Sequence, residues 1–128
     1  PAPHQQSVKR PRAVFIFGGI SAGKNSYVSD ILNSFGFENM ADKIGKPWVI
    51  LPREFVVREN PEAVFAAASS ESEKNEILHA LGRDKAWKNT SAVKNKKIFF
   101  IPYSEIILPD AGVLNAARRI INARKNFP

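Results

Sequence analysis

The stretch VFIFGGISAGKNSYVSDILNSFGFEN, residues Val14–Asn39, decides how the rest of the chain is interpreted. It begins with a β-branched and aromatic run, continues through a glycine-rich loop, and ends in apolar residues near helical spacing before Gly36. The first run indicates a strand, and the later spacing indicates a helix that stops at the glycine. The stretch therefore predicts a strand, a loop and a helix in succession, which is how an α/β layer begins.

The loop also resembles the phosphate loop of nucleotide-binding enzymes, whose pattern is G-x-x-x-x-G-K-[ST]. Gly18, Gly23 and Lys24 fit that pattern, so a kinase or NTPase that uses Gly18–Lys24 is the alternative function from a different class. Asn25 does not fit, because an amide replaces the hydroxyl that would bind magnesium. Neither later apolar run ends in an aspartate that could hold the metal. The glycines are also explained by a tight strand-to-helix turn.

Length and composition restrict the functional classes. A chain of 128 residues fits one domain, and no apolar run approaches the roughly 20 residues of a membrane span. There is no cysteine, which excludes disulfide scaffolds, thiol catalysis and cysteine zinc sites. The two histidines, His4 and His79, are far apart in sequence. We therefore expect neither a metal site nor a cofactor.

The net charge of +7 suggests anionic partners only in general terms. Lysines and arginines are scattered among acids, and the one dense run is Lys94–Lys97 before an apolar stretch. That run is typical of a solvated turn, because nucleic-acid sites cluster their basic residues on one face. We expect an ordinary basic surface and no nucleic-acid partner.

Strand and helix patterns alternate along the chain. Residues 1–12 carry prolines without periodicity and are predicted to be a tail or a cut linker, whereas residues 13–128 form one unit. The predicted strands are 13–17, 48–51, 63–67 and 98–101, and the predicted helices are 25–35, 52–59, 70–81 and the one that follows residue 110. Such alternation predicts an α/β fold of three layers, with a mostly parallel central sheet covered by helices on both faces.

Three local signals set the helix limits in this prediction. Ser70 and Glu73 form a capping-box pattern at a helix start, and Gly82 is the expected stop of that helix. Asp110 is the expected cap of the last helix. The segment 84–93 is expected to be irregular or a single helical turn around Trp87.

Several short motifs follow one another in a fixed order. They are Ser21-Ala22-Gly23-Lys24-Asn25-Ser26, Phe35-Gly36-Phe37-Glu38-Asn39, Pro47-Trp48, Leu51-Pro52-Arg53-Glu54, Asn60-Pro61-Glu62-Ala63-Val64-Phe65, Trp87, Ala92-Val93-Lys94-Asn95-Lys96-Lys97-Ile98-Phe99 and Ile101-Pro102. In this order and spacing they resemble the C-terminal lobe of periplasmic binding proteins for iron-siderophore, haem and cobalamin import by ABC transporters. No phosphate-loop enzyme predicts this order.

The resemblance implies a substrate-binding component that catalyses no reaction. Its partners would be an iron chelate, haem or cobalamin ligand, the ABC transporter permease subunits, and the N-terminal lobe of the same parent protein. Nucleotide is not among them. The resemblance implies a periplasmic or extracytoplasmic location, with membrane anchoring in the parent. It also makes residues 1–12 a remnant of the inter-lobe connection, because Lys9–Ala13 resembles the exit from the connecting helix.

The chain departs from the family pattern at two points. Phe37 stands where the family has the second glycine of Gly-Gly-Glu-Asn, so that turn is expected to differ. The family also has two lobes, and this chain carries the motifs of one. We therefore expect the chain to be a fragment with one wall of the ligand cleft; the alternative is an unusual one-lobe protein.

The resemblance and the strand pattern together nominate ligand contacts. Trp48 is placed at the cleft by the resemblance, and an indole offers a large rigid contact area with one N–H donor. Tyr103, Ser104 and Glu105 follow the last predicted strand. Because ligands of open α/β sheets bind beyond the carboxyl ends of strands, these three are predicted to form a polar loop at the rim.

Ser21, Lys24 and Asn25 are predicted to occupy the corresponding place after the first strand, where Lys24 would meet an anionic ligand. Glu54 has a different implied role. The resemblance puts it on the outer tip of the lobe, where a glutamate docks to arginines of the permease. The plainer interpretation is that Glu54, in the first turn of its helix, favours the helix dipole.

Overall fold

The computed structural model describes residues 9–107 and 109–128, with side chains at 109–111 left aside. The strands are β1 (Arg12–Phe17), β2 (Ile20–Ala22), β3 (Glu38–Asn39), β4 (Trp48–Val49), β5 (Ala63–Ala67) and β6 (Ile98–Ile101). The α-helices are α1 (Tyr27–Ser34), α2 (Arg53–Glu59), α3 (Glu71–Arg83), α4 (Ser91–Lys94), α5 (Tyr103–Ile107) and α6 (Pro109–Arg124), and a 3-10 helix covers Met40–Ile44.

The strands form one six-stranded sheet in the order β4-β2-β1-β5-β6, with β3 pairing beside β1. The pairs β1–β5, β5–β6 and β1–β3 are parallel. Only β2 runs against the others, since it is antiparallel to both β1 and β4. The predicted mostly parallel sheet is confirmed.

Both faces of the sheet are covered, because alternate residues of each strand point to opposite sides. One core contains Phe15 and Phe65 beneath helices α1 and α6. The other contains Val14 and Val64 beneath helices α2 and α3. The predicted three-layer α/β architecture is therefore confirmed, and β5 is buried at every position because it lies between two other strands and two layers of helices.

The chain makes a hairpin after β1 that the sequence pattern did not predict. Gly18 has a φ of +62°, which a residue without a Cβ adopts most readily. The hairpin returns as β2, whose register pairs Phe17 with Ile20 and Ile16 with Ser21. The predicted direct strand-to-helix turn is therefore wrong, because a short antiparallel strand lies between β1 and the first helix.

Phe37 explains the departure from the Gly-Gly-Glu-Asn motif. Its side chain is fully buried, and its ring meets Phe65 and Phe127 edge-on at centroid distances of 5.2 and 5.6 Å. The preceding Gly36 retains the positive φ that the turn requires, +100°. A large apolar residue has thus joined the core at this turn.

The amino ends of the strands are closed by hydrogen bonds; we call this end the amino edge. Arg12 donates from Nε to the Glu59 carbonyl at 2.7 Å, and its backbone N–H donates to Glu62 Oε2 at 3.0 Å. Arg124 donates from Nε to the Gly36 carbonyl at 2.9 Å and from Nη2 to the Lys9 carbonyl at 3.2 Å. Through these hydrogen bonds, the two guanidinium groups connect helix α6, strand β1 and the residues that precede β1.

Helix limits agree with the local signals except at two ends. The capping box of Ser70 and Glu73 is present in both directions. The helix it opens continues through Gly82 to Arg83, because Asp84 is the residue that caps it. Asp110 lies within α6, which begins at Pro109, so its prediction as the cap is wrong.

Candidate functional site

Parallel strands end together at one edge of the sheet. The register pairs Ile16 with Ala66 and Ala67 with Ile101, so β1, β5 and β6 finish at the same level. We call this the carboxyl edge. Ligands of open α/β sheets bind beyond such an edge, so its side chains are the first candidates for a binding site.

An apolar cavity of about 300 Å³ opens at this edge, and we call it the tryptophan cavity. Its lining residues are Phe17, Ile20, Trp48, Ile106 and Ile107. Ile107 is 62% exposed, Ile20 40% and Trp48 39%. Large apolar side chains grouped in the open are uncommon and mark a surface that another molecule covers.

Register explains why these side chains converge. Trp48 pairs with Ala22, and Ile20 pairs with Phe17, so all four lie on the same side of the sheet. Helix α5 adds Ile106 and its neighbour from above that side. Of the residues nominated as ligand contacts from sequence, Trp48 alone lies in this cavity; the sequence analysis missed the other four.

A second cavity, of about 200 Å³, also lies at this edge, and we call it the tyrosine cavity. Its lining residues are Ile16, Gly18, Ala67, Glu73, Glu76, Ile77 and Tyr103. The rings of Tyr103 and Phe17 pack with centroids 5.3 Å apart, so this contact joins the two cavities. The carboxyl edge therefore presents one apolar recess and one recess with polar oxygens.

Tyr103 is held in place by the start of helix α3. Its backbone N–H donates to Ser69 Oγ at 2.9 Å. A hydrogen bond with the Glu73 carboxylate raises the pKa of Tyr103, whereas the pKa of Glu73 is lowered chiefly by its hydrogen bond from the Ser69 backbone N–H. Tyr103 is thus a neutral hydroxyl at neutral pH, beside a carboxylate.

Residues 103–105 are not the loop predicted from sequence. They form the first turn of helix α5, with Ser104 exposed to solvent. Glu105 is only 8% exposed and accepts two hydrogen bonds from Arg119, at 2.7 and 3.0 Å, which raise the pKa of that arginine. The Glu105 carboxylate therefore joins α5 to α6 and lines neither cavity.

Ser21, Lys24 and Asn25 are not brought together at the carboxyl edge, because β2 carries the chain back from it. Ser21 is 2% exposed and faces the opposite side of the sheet from Trp48, where it lines a third cavity, of about 270 Å³. That cavity shares Ile16, Gly18 and Ile77 with the tyrosine cavity. Lys24 and Asn25 form an exposed turn after β2, and Asn25 has a φ of +72°.

The same geometry bears on the phosphate-loop alternative. A phosphate loop wraps its backbone N–H groups around the phosphates directly before a helix. Here residues 20–22 pair as a strand with β1 and β4, and helix α1 begins only at Tyr27 with Ser26 as its cap. The strand leaves no loop to surround a phosphate, so the nucleotide-binding interpretation of Gly18 to Lys24 has no support in the fold.

Glu54 lies in the first turn of helix α2, exposed to solvent. It lines a shallow depression of about 430 Å³ with basic and apolar neighbours; the other lining residues are Arg53, Val57, Arg58, Lys85 and Ala86. Arg53 pairs with Asp84 at 3.2 Å and Arg58 with Glu59 at 3.5 Å. Within the described part of the chain, the ion pairs leave Glu54 without a partner.

Comparison with known proteins identifies the family. The model of the family described as periplasmic binding protein matches residues 2–104. The chain belongs to the periplasmic binding protein family. The resemblance inferred from the ordered motifs is therefore confirmed. The comparison with curated protein sequences finds no significant match.

Solved structures of periplasmic binding proteins share the fold. An iron-binding (periplasmic solute-binding) protein from Staphylococcus epidermidis, described as a possible one, is 18% identical with a TM-score of 0.77, covering 92% of this chain and 48% of its own. The periplasmic heme-binding protein RhuT from Roseiflexus is 15% identical with a TM-score of 0.69, covering 93% and 49%. Helicobacter pylori CeuE with Ni(II) bound is 25% identical with a TM-score of 0.70, covering 99% and 43%. The chain thus spans about half the length of these periplasmic binding proteins.

No group of three or more histidine, cysteine, aspartate or glutamate residues within 9–107 and 109–128 is placed to hold a metal ion. In the same ranges, no helix combines the length and apolar character of a membrane span.

Proposed function

We propose that this chain is the C-terminal lobe of the substrate-binding component of an ABC importer. The whole component captures an iron-siderophore, haem or cobalamin and delivers it to the membrane permease. One observation carries the proposal: a lobe of the periplasmic binding protein family exposes Trp48 in an apolar cavity at the carboxyl edge. An exposed indole beside isoleucines suits the flat face of a macrocycle or chelate.

The chain supplies one wall of the cleft. It spans about half of its structural relatives, and small-molecule sites usually bury 70–90% of the ligand surface. With one wall gone, much of that burial is lost. We therefore expect the 128-residue chain to fold, because its sheet and two cores are complete, and to bind the ligand weakly.

The rim of this wall is formed by Tyr103 and Ser104 at the start of α5. Tyr103 offers a hydroxyl at the junction of the two cavities. Ser21, Lys24 and Asn25 line neither of the two cavities, so they are secondary candidates for ligand contact. Glu105 is placed to position α5 through Arg119.

The depression around Glu54 is the proposed docking surface for the permease. Helix α2 starts just after β4, so Glu54 lies near the same edge of the sheet as the ligand opening, although α2 covers the opposite face of the sheet from the tryptophan cavity. The neighbouring arginines are engaged by Asp84 and Glu59. The Glu54 carboxylate thus remains for an arginine of the partner, and such a charge fixes register more than it adds affinity.

The proposed component catalyses no reaction and works in the periplasm or another extracytoplasmic space, with the parent anchored to the membrane. The permease subunits and the N-terminal lobe of the parent are its proposed protein partners. The two cavities at the carboxyl edge are binding recesses, since their polar groups are limited to Tyr103, Glu73, Glu76 and backbone.

The test is a substitution of Trp48 in the two-lobe parent. Trp48→Ala should weaken binding of the parent's ligand by tenfold or more, because it removes the largest side chain of the tryptophan cavity. Leu78→Ala is the matched control, since Leu78 is similarly exposed, at 43%, and lines neither cavity. Haem, a ferric trihydroxamate and cobalamin are the probes, measured by calorimetry. Equal binding by the two variants would contradict the proposed site.

A further inference from the structure

The two cavities at the carboxyl edge share a feature of charge. Neither is lined by a lysine or an arginine, whereas Glu73 and Glu76 both line the tyrosine cavity. This is unusual for the chain as a whole, which carries 19 lysines and arginines against 12 acids. The basic residues are therefore distributed outside these two cavities.

Three basic residues on nearby elements, Lys74, Lys24 and Arg119, either pair with a carboxylate or lie outside both cavities. Lys74 on helix α3 pairs with Glu71 at 3.1 Å, and its ammonium group lies 5.9 Å from the centroid of the Phe100 ring. Lys24 follows β2 after that strand has run back from the carboxyl edge, and it lines neither cavity. Arg119 is held by Glu105. This wall can therefore offer a bound anion no pairing cation.

The polar end of the wall does not compensate. Tyr103 keeps its proton, since its hydrogen bond with Glu73 raises its pKa. Glu73 also accepts hydrogen bonds from the Ser69 and Ser70 backbone N–H groups, so the exposed Glu76 is the carboxylate of this cavity that these donors leave uncompensated. A charge that loses water without gaining a partner is strongly disfavoured. An anionic ligand bound here would lose its hydration and would also lie close to carboxylates of the same charge, so its binding would be disfavoured.

We infer that this lobe receives a chelate without net negative charge, an uncharged trihydroxamate complex of a trivalent metal, and discriminates against tris-catecholate complexes of charge −3. The inference rests on the proposed function and specifies its ligand. The apolar tryptophan cavity takes the carbon skeleton of the chelate, and the Tyr103 hydroxyl oxygen accepts a hydrogen bond from an N–H of the chelate, because its own proton is donated to Glu73. The acidic side chains repel the anionic alternative before it can lose its hydration.

The experiment uses the 128-residue chain and gallium(III) complexes, which are diamagnetic and similar in size. Titration of each complex is followed by NMR at the Trp48 indole N–H and at the methyl groups of Ile20 and Ile107. The trihydroxamate should shift these signals with a Kd at least tenfold below that of the tris-catecholate. Equal or tighter binding of the tris-catecholate overturns the inference and leaves the proposed function standing.

A pair of variants tests the electrostatic cause. Glu76→Gln removes a carboxylate from the tyrosine cavity, and Glu71→Gln removes one from the same helix outside both cavities. Glu76→Gln should strengthen tris-catecholate binding two- to threefold more than it changes trihydroxamate binding. Glu71→Gln should change neither, and an equal effect of the two variants overturns the inference by showing that only the total charge matters.

Two other outcomes concern what covers the apolar cavity. If the Trp48, Ile20 and Ile107 signals move on dilution of the chain alone, a second copy covers the cavity and the inference is overturned. If neither complex shifts any of these signals at millimolar concentration, the same titration is made on the two-lobe parent. Equal or tighter binding of the tris-catecholate by the parent overturns the inference, and failure of the parent to bind either complex, haem or cobalamin overturns the proposed function as well.

Discussion

The two ends of the parallel strands differ in how completely their side chains are satisfied. At the amino edge, Arg12 and Arg124 donate hydrogen bonds to carbonyls from separate parts of the chain, and Phe37 fills the core beside them. At the carboxyl edge, Trp48 and Ile107 stay exposed around an open cavity. The difference indicates that one end stabilises the fold while the other leaves apolar surface exposed.

The largest effect is expected from Phe37→Ala near the amino edge. Phe37 is fully buried between two phenylalanine rings, and truncating a buried phenylalanine costs about 3–5 kcal/mol of unfolding free energy. Ile50→Ala is the contrasting control: Ile50 is 77% exposed, so its loss should change stability by less than about 0.5 kcal/mol. Urea denaturation measures both. Similar losses of unfolding free energy in the two variants would show that the amino edge does not stabilise the fold more than the exposed surface does.

The next largest effect is expected at the other edge and concerns function. In the two-lobe parent, Glu54→Ala should leave ligand affinity unchanged and reduce transport, because removing one partner of a desolvated charge pair costs about 2–5 kcal/mol. Glu54→Lys should reduce uptake further, since it places like charges together.

Uptake by cells and ligand binding by fluorescence are measured on the same Glu54 variants. Normal transport by Glu54→Lys would contradict the docking role, and the favourable interaction of Glu54 with the helix dipole would be the remaining interpretation. Loss of ligand binding would mean that Glu54 lies toward the cleft. Glu71→Lys is the control, because Glu71 also lies in the first turn of its helix and is exposed.

A smaller effect is expected from Arg124→Ala. Its guanidinium donates to the Gly36 and Lys9 carbonyls, and losing charged hydrogen bonds to partly buried groups costs about 1–3 kcal/mol. Thermal unfolding should register the loss, and amide exchange should rise around Gly36. Arg118→Ala, one helical position away from the Arg119 pair and exposed, is the control. If the two variants lose the same amount of stability, the Arg124 hydrogen bonds do not stabilise the amino edge.

The smallest expected effect is the loss of folding stability at low pH through Glu59. A hydrogen bond from Lys43, at 2.6 Å, is the main cause that lowers the pKa of Glu59 from its usual 4.5. A depressed folded-state pKa gives stability that is present above pH 4.5 and is lost as the pH falls through the folded value. The pair is partly exposed, so its contribution should be about 0.2–1 kcal/mol.

Melting temperatures from pH 7 to pH 3 test this pair. Lys43→Ala should lower the melting temperature at pH 7 and flatten its fall in acid, because the Glu59 pKa moves back toward its usual value. Lys46→Ala should leave the profile unchanged, since none of the ion pairs among residues 9–107 and 109–128 includes Lys46. An unchanged slope in Lys43→Ala would show that other carboxylates dominate the acid response.

Strands and helices were predicted correctly where the local sequence pattern is enough to determine them. The strand Ala63–Ala67 and the capping box at Ser70 are present as predicted, because an apolar run bounded by Pro61 and a Ser-x-x-Glu pattern depend on few distant contacts. The family followed from the order of motifs across the chain.

What the sequence did not predict depends on pairing between distant segments. Strand β2 has three residues and no visible alternation, and it exists because β1 and β4 flank it. Its presence moves Lys24 and Asn25 away from the carboxyl edge. The companions of Trp48 were missed for the same reason, although the pair Ile106-Ile107 soon after Pro102 was a usable signal of exposed apolar residues.

The Arg124 guanidinium has a topological consequence. It donates to the carbonyls of Lys9 and Pro128, so the two ends of the described chain lie within the span of one side chain. Domains whose ends are adjacent tolerate circular permutation. Joining residues 9 and 128 by a short linker and opening the chain at the exposed turn around Lys96 should give a permuted lobe with the same fold. The new termini would then lie at the same amino edge as this junction, since the Lys97 ammonium group is 5.7 Å from the centroid of the Phe127 ring, and the opening would leave the sheet and both cores intact.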